Sequence, residues 1–119
     1  MRVDASLRRA DRIRSRRDFR RIGQQGRRIA SGNFVVLAAK GRNEASDGGT
    51  RLGITVTRRV GKAVIRNRLK RSVREVFRRQ RAALPEKLDV VVIARGGAAL
   101  LRAGEIELEL RWLFESLSR

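Results

Sequence analysis

The sequence predicts an α+β fold, a two-layer α/β sandwich, and three features carry that prediction. Runs rich in β-branched residues stand at 33–40, 51–57 and 88–94. Residues 64–84 switch to the helical period, and shorter helical patterns lie near both ends. At 119 residues, 41% of them hydrophobic, the chain suits a single domain with one modest core. Residues 1–14 are polar and Arg-rich, and are expected to form a flexible basic arm. No apolar run approaches the ~18 residues of a membrane span, so no membrane partner is expected. The N-terminal 21 residues lack the apolar stretch of a signal peptide. The absence of Cys excludes disulfides and thiolate metal sites, and the whole pattern suits the cytoplasm.

A first helix is expected from about Arg16 to Gln25, with Phe19 and Ile22 as its apolar stripe and Gly26 stopping it. Residues 33–40 (NFVVLAAK) read as a strand, and the turn-rich stretch 41–50 as an exposed connection. Residues 51–57 return as a second strand, expected to pair with the first as a long-looped hairpin. Leu52, Ile54 and Val56 point to one face of it and Gly53, Thr55 and Thr57 to the other. That second face is expected to be solvent-exposed sheet, with the floor of a groove as the alternative. Between Val64 and Leu84, the residues Ile65, Leu69, Val73, Val76, Phe77 and Leu84 share one helical arc, and Pro85 ends the helix. Leu88–Ala94 (LDVVVIA) reads as a central strand covered on both faces. The last segment alternates like a strand over 105–110. Ile106, Leu110, Leu113, Phe114 and Leu117 nevertheless keep helical spacing, so a helix is expected, with Trp112 against the core.

Charge narrows the function. Thirty basic residues against 12 acidic ones give a net charge of +18, which destabilises a compact state by self-repulsion unless a polyanion compensates it. Twenty-six of the 30 are Arg, whose planar guanidinium grips phosphate with two prongs and stacks on bases. The excess is local. Residues 1–28 hold 11 basic and 3 acidic residues, and residues 58–81 hold 11 basic and only Glu75. Residues 82–119 hold 5 basic and 6 acidic ones. On the helix, Asn67, Arg71, Arg74 and Arg78 form a row about 16 Å long at 1.5 Å per residue, a span of a few phosphates.

The order of residues says more than the charge. The strand RLGITVTRRVGKAV, running into the helix IRNRLKRSVRE with its Arg66-Asn67-Arg68 element, resembles the protein subunit of bacterial ribonuclease P. The likeness extends from Asp18-Phe19 upstream to Ala94-Arg95 downstream. It implies element order α-β-β-β-α-β-α, with a left-handed βαβ crossover. It implies binding of the catalytic RNA subunit by Lys62, Arg66, Asn67, Arg68, Lys70, Arg71 and Arg74. It also implies a cleft for the single-stranded 5′ leader of precursor tRNA, lined by Arg16, Arg17, Phe19, Phe34, Arg58 and Arg59. Gly23 and Leu37 stand where relatives often carry further aromatics.

By the same resemblance, the RNA subunit performs the Mg²⁺-dependent hydrolysis that matures the tRNA 5′ end. The metal is then held mainly by RNA, and no obligate protein partner is implied. The residues agree with an accessory role: there is no His or Cys, and Asp4, Asp11, Asp18 and Asp89 are scattered. A structural ribosomal protein would share the charge and size but not the Arg-Asn-Arg arrangement. A DNA-binding regulator would need a helix-turn-helix or zipper that the sequence lacks.

Overall fold

The computed structural model describes residues 11–41, 49–84 and 87–118. Its elements are α1 (Arg16–Gln25), β1 (Arg27–Ala30), β2 (Phe34–Lys40), β3 (Arg51–Thr55), α2 (Ala63–Gln80), β4 (Leu88–Ala94) and α3 (Ala103–Ser116). The α+β class agrees with expectation. Most of the expected N-terminal arm, residues 1–10, lies outside the described residues, as do residues 42–48 of the long connection and Pro85. Residues 11–13 are not free of the fold: Arg12 bridges Leu52 in parallel, and the Ile13 amide donates to the Leu52 carbonyl at 2.9 Å.

Ser15 caps α1, its hydroxyl accepting from the amides of Arg17 (3.1 Å) and Asp18 (3.4 Å). Gly26 ends the helix, but its φ of −77° is ordinary for any residue. Glycine is needed because a Cβ there would collide with the Ile22 carbonyl and press on that of Ala38. α2 gives way after Gln80 to a 3-10 turn over Arg81–Ala83, earlier than the helical period suggested, and Leu84 still reaches the core.

The four strands lie in the order β1-β2-β4-β3. β2 and β3 are therefore not the hairpin that their sequence proximity suggests. The antiparallel hairpin joins β1, four residues too short to stand out in the sequence, to β2. β4 inserts between β2 (antiparallel) and β3 (parallel). Its Val-rich run is buried on both faces and bonded along both edges, which stabilises it more than an edge position would. Stepping over one strand position spans about 10 Å, well within reach of the connection from Gly41 to Thr50. α2 then joins the parallel neighbours β3 and β4.

Helices cover both faces of the sheet, so the layering is fuller than two. On one face Phe34, Val36, Leu52, Val90 and Val92 meet Leu69, Val73 and Phe77 of α2 and Ile106, Leu110 and Phe114 of α3. Phe77 and Phe114 pack edge to face, 6.1 Å between centroids. On the other face, among the described residues, α1 supplies the helical cover: Ile22 and Phe19 pack with Ile13, Leu37, Ala39, Val91 and Ile93. Trp112 is not against the core. It is 51% exposed, beside Leu108 one turn earlier, on the side of α3 opposite the Ile106–Leu110–Leu113–Leu117 stripe.

The smaller face is fastened by a buried carboxylate. Asp89 of β4 is 1% exposed and stands in register with Arg51 of β3. Arg51 grips it in bidentate fashion, Nε to Oδ1 at 2.9 Å and Nη2 to Oδ2 at 2.8 Å. Arg21 of α1 donates to the same Oδ2 and, at 3.0 Å, to the Lys40 carbonyl. Both arginines also stand 3.5 Å from Asp18. Burial works to raise the Asp89 carboxyl, but the hydrogen bonds and charge of Arg51, then of Arg21, outweigh it and hold the group below its ordinary 3.8. A depressed carboxyl contributes stability that is present above the unfolded value and lost as pH falls through the folded one. Asp89→Ala removes the shared buried acceptor of two cations, leaving them with Asp18 at 3.5 Å, and is expected to cost about 3 kcal/mol in denaturant melts at neutral pH. The parent should lose this contribution only below about pH 3.8, so the gap between the two proteins should close in acid. A constant gap down to pH 2 would refute the assignment.

Candidate nucleic-acid interface

The Arg-rich helix has two flanks with different occupations. Successive residues turn by about 100°, which places Arg68, Glu75 and Arg79 toward α3. There Arg68 donates to the carbonyls of Ala99 (2.9 Å) and Leu101 (3.2 Å). Arg79 pairs with Glu107 of α3 and stands 3.5 Å from Glu75. Of the residues expected on the catalytic-RNA surface, Arg68 is thus the one engaged in holding the 3-10 segment Gly96–Leu100 and its exit to the body. Arg78, the last of the expected row, pairs with Glu75 at 2.7 Å.

The other flank carries Asn67, Lys70, Arg71 and Arg74, and faces the β3 edge. None of its three cations meets a carboxylate among the described residues, whereas Arg81, at its far end, binds Asp11 at 2.7 Å. Burial, and then the charges of Arg12 and Arg71, lowers the Arg74 guanidinium from its ordinary value. Lys62 is exposed just before α2, whose first turn holds no acidic residue to offset the partial positive charge of the helix start. Arg66 is half-buried, with its Nε lacking a hydrogen-bond partner among the described residues. A face of like charges destabilises the free helix by a few tenths of a kcal/mol per pair. Leu69, Val73, Val76 and Phe77 hold the helix down regardless. What the face can do chemically is bind an extended polyanion.

The second candidate surface lies where α1 crosses the sheet. The Phe19 ring rests on Gly53, where an added Cβ would come within 2.8 Å of the ring and 3.2 Å of Ile13. Of the two readings of the Gly53 face, a groove floor is therefore the closer: Gly53 is buried under Phe19, and Thr55 beyond it is half-buried. Phe19 keeps part of its surface open, and Arg16 and Arg17 on the same helix are exposed. Arg58 and Arg59 are exposed on the turn after β3, which Val60 pins by its buried side chain and an amide bond to the Thr57 carbonyl at 3.0 Å. Phe34 does not belong to this cleft. It is fully buried on the opposite sheet face, among the residues under α2 and α3, because even and odd positions of β2 point to opposite faces. Leu37, an odd position, does face α1, and Gly23 has open space around its missing side chain.

Sequence reasoning missed the two carboxylates that organise these surfaces. Asp89 sits inside an apolar run, and its partners Arg21 and Arg51 were indistinguishable from the other arginines. Glu109 of α3 accepts from the Asn33 amide (2.9 Å), the Asn33 side chain (2.8 Å) and the Ser31 hydroxyl. It thereby ties the β1–β2 turn to α3. Burial works to raise its carboxyl, and the Ser31 and Asn33 bonds prevail to hold it down.

The chain's likeness to known proteins is extensive. Residues 7–118 match the family model described as Ribonuclease P. The ribonuclease P protein component of Thermotoga maritima is 47% identical over 90 residues, 76% of this chain and 74% of that one. Its counterpart in Desulfosudis oleivorans is 40% identical over 114 residues, covering 96% and 91%. Among solved structures, the RNase P protein of Staphylococcus aureus superposes with a TM-score of 0.80 at 32% identity, covering 92% and 95%. That of Thermotoga maritima gives 0.77 at 38%, covering 88% and 96%.

The two flanks of α2 predict opposite responses to the same substitution. Arg68→Gln should lower stability by about 1 kcal/mol, since charge-assisted bonds to carbonyls are lost at a solvent-screened site. Arg71→Gln should leave stability unchanged or raise it, because it relieves repulsion. Thermal melts of both variants check this, and an equal loss from the two would contradict the division.

Proposed function

The chain belongs to the ribonuclease P protein family, and we propose that it binds the catalytic RNA subunit and the 5′ leader of precursor tRNA, so that the RNA cleaves off the leader. The observation that carries this reading is the uncompensated cationic flank of α2 at Asn67, Lys70, Arg71 and Arg74. It continues to Lys62 and Arg66 at the helix start, and the reading takes this face as the dock for the catalytic RNA. Arg68 supports the dock from behind by fixing the neighbouring 3-10 segment. The groove of Phe19 over Gly53, flanked by Arg16, Arg17, Arg58 and Arg59, takes the leader. One partly open aromatic and a basic rim suit a single strand, whose bases stack without regard to sequence.

The polypeptide performs no bond-breaking step in this reading. Asp18 and Asp89 are brought close together, but Arg21 and Arg51 neutralise them. The described residues hold no group of three or more carboxylate, His or Cys ligands. These donors do not fit a resident divalent ion, and the Mg²⁺ of the reaction is assigned to the RNA. No helix among the described residues is long and apolar enough to cross a membrane, and the reading places the activity in the cytoplasm.

Reconstitution with the cognate RNA separates the two surfaces. Asn67→Ala with Arg71→Ala should weaken assembly with the catalytic RNA by about 1.5–3 kcal/mol per charged contact, less where solvent screens it. Phe19→Ala should leave assembly nearly intact and weaken precursor tRNA binding by about 1–3 kcal/mol, while mature tRNA, which has no leader, is bound as before. Phe19→Leu keeps most of the packing on Gly53 and removes the stacking face, so it guards against simple unfolding. Equal binding of precursor by parent and folded Phe19→Leu would place the leader elsewhere. Parent affinity for the catalytic RNA should fall steeply with salt, by about one counterion per phosphate contact.

A further inference from the structure

The segment preceding α1 is held at two points, and the residue between them carries a charge that meets no carboxylate among the described residues. Asp11 is gripped by Arg81 at the end of α2, 2.7 Å away. Ile13 is bonded to the Leu52 carbonyl at 2.9 Å and buried under α1. Arg12, between them, is the parallel register partner of Leu52. Register partners direct their side chains to the same face of a sheet. Leu52 points into the core beneath α2, so Arg12 projects on the α2 side of the sheet, just outside the β3 edge. Ile13, one residue on, projects to the other side and packs against Gly53. The exposed Arg12 guanidinium thus stands beside the free flank of α2, near enough to Arg74 for their charges to interact, as do those of Arg71 and Arg74 one turn apart. No carboxylate among the described residues pairs with any of the three.

We propose that Arg12, Arg71 and Arg74 form a single phosphate-binding site, in which the clamped N-terminal segment and α2 close on one backbone phosphate of the docked RNA. Three guanidiniums from two elements surround a tetrahedral anion in a way that one helix face alone cannot, since a helix presents its cations in a row. Bringing them together without an anion is unfavourable, and the Asp11–Arg81 pair is what holds Arg12 in place against that repulsion. Arg12 is therefore a phosphate ligand and Asp11 a positioning residue. The inference rests on α2 being the catalytic-RNA face and adds to that face a contribution from outside the helix.

The test is a double-mutant cycle on binding of full-length catalytic RNA, with melting curves to establish that each variant folds. Arg12→Gln and Arg74→Gln should each weaken binding about five- to tenfold, and each should lower the slope of log affinity against log salt by less than one full counterion, since the same phosphate keeps its other cations. The double variant should be weakened by clearly less than the product, because both residues serve one phosphate. Arg28→Gln, on β1 at the opposite edge of the sheet, should combine with Arg12→Gln multiplicatively. Asp11→Asn removes a negative charge, so simple electrostatics would tighten binding. Loss of the clamp should instead weaken it about threefold or more. Full affinity in Arg12→Gln, multiplicative behaviour of Arg12 with Arg74, or tighter binding by Asp11→Asn would overturn the site. If Arg71→Gln and Arg74→Gln both bind with parental affinity, it is the assignment of α2 itself that falls.

Discussion

Asp89 is the point at which α1, β3 and β4 are joined, and the smaller face of the sheet depends on it. Among the described residues one ten-residue helix covers that face, and its apolar contribution is little more than Ile22 and Phe19. So small an apolar contact would hold a highly charged helix weakly. The buried carboxylate supplies what packing does not. It draws in Arg51 from the neighbouring strand and Arg21 from the helix, and the two guanidiniums gather Asp18 as well. A single buried ion is costly, and a pair is at best near neutral against an apolar substitute. Its value here is geometric: it fixes where α1 crosses the sheet, and with it the position of Phe19 above Gly53.

The same economy governs α2. Every cation on this helix adds repulsion, and the fold disposes of it in two ways. On the α3 flank the charges are spent on structure, through Arg68 to the carbonyls of Ala99 and Leu101 and Arg79 to Glu107. On the β3 flank Lys70, Arg71 and Arg74 meet no acidic partner among the described residues. The buried stripe from Leu69 to Phe77 and the Phe77–Phe114 contact hold the helix against that repulsion. A surface that is electrostatically unsatisfied in the free protein gains most when a polyanion arrives. Stability is therefore concentrated in the apolar core and the α3 flank, and binding capacity in the flank that the core tolerates.

The two candidate surfaces share a strand. β3 carries Gly53 toward α1 and Leu52 toward α2, so neighbouring residues on one strand contact the groove on one face and the helix on the other. The segment Asp11–Ile13 runs along its edge in the same manner, Ile13 to the groove side and Arg12 to the helix side. A shift of β3 relative to β4 would move both surfaces at once, and the Arg51–Asp89 bond opposes that shift.

Much of this was determined by the sequence alone, because it rests on local rules. The bounds of α1, the apolar arc of α2, the doubly covered β4 and the local cationic excess follow from periodicity and charge, and the family from the ordered Arg-Asn-Arg stretch. What tertiary structure decided is what depends on partners distant in the chain. Pairing of β2 with β4 rather than with β3 is a competition between strands 34–40, 51–55 and 88–94, and sequence proximity does not settle it. Phe34 looked like a cleft aromatic until the register assigned its face. Trp112 looked like core, although the stripe of its own helix leaves it outside. Among 26 arginines, composition cannot tell Arg51 and Arg21, which neutralise Asp89, or Arg68, which binds carbonyls, from Arg71 and Arg74, which meet no carboxylate among the described residues. A guanidinium's role is set by which acceptor lies within about 3 Å of it, and only the folded chain brings those acceptors near.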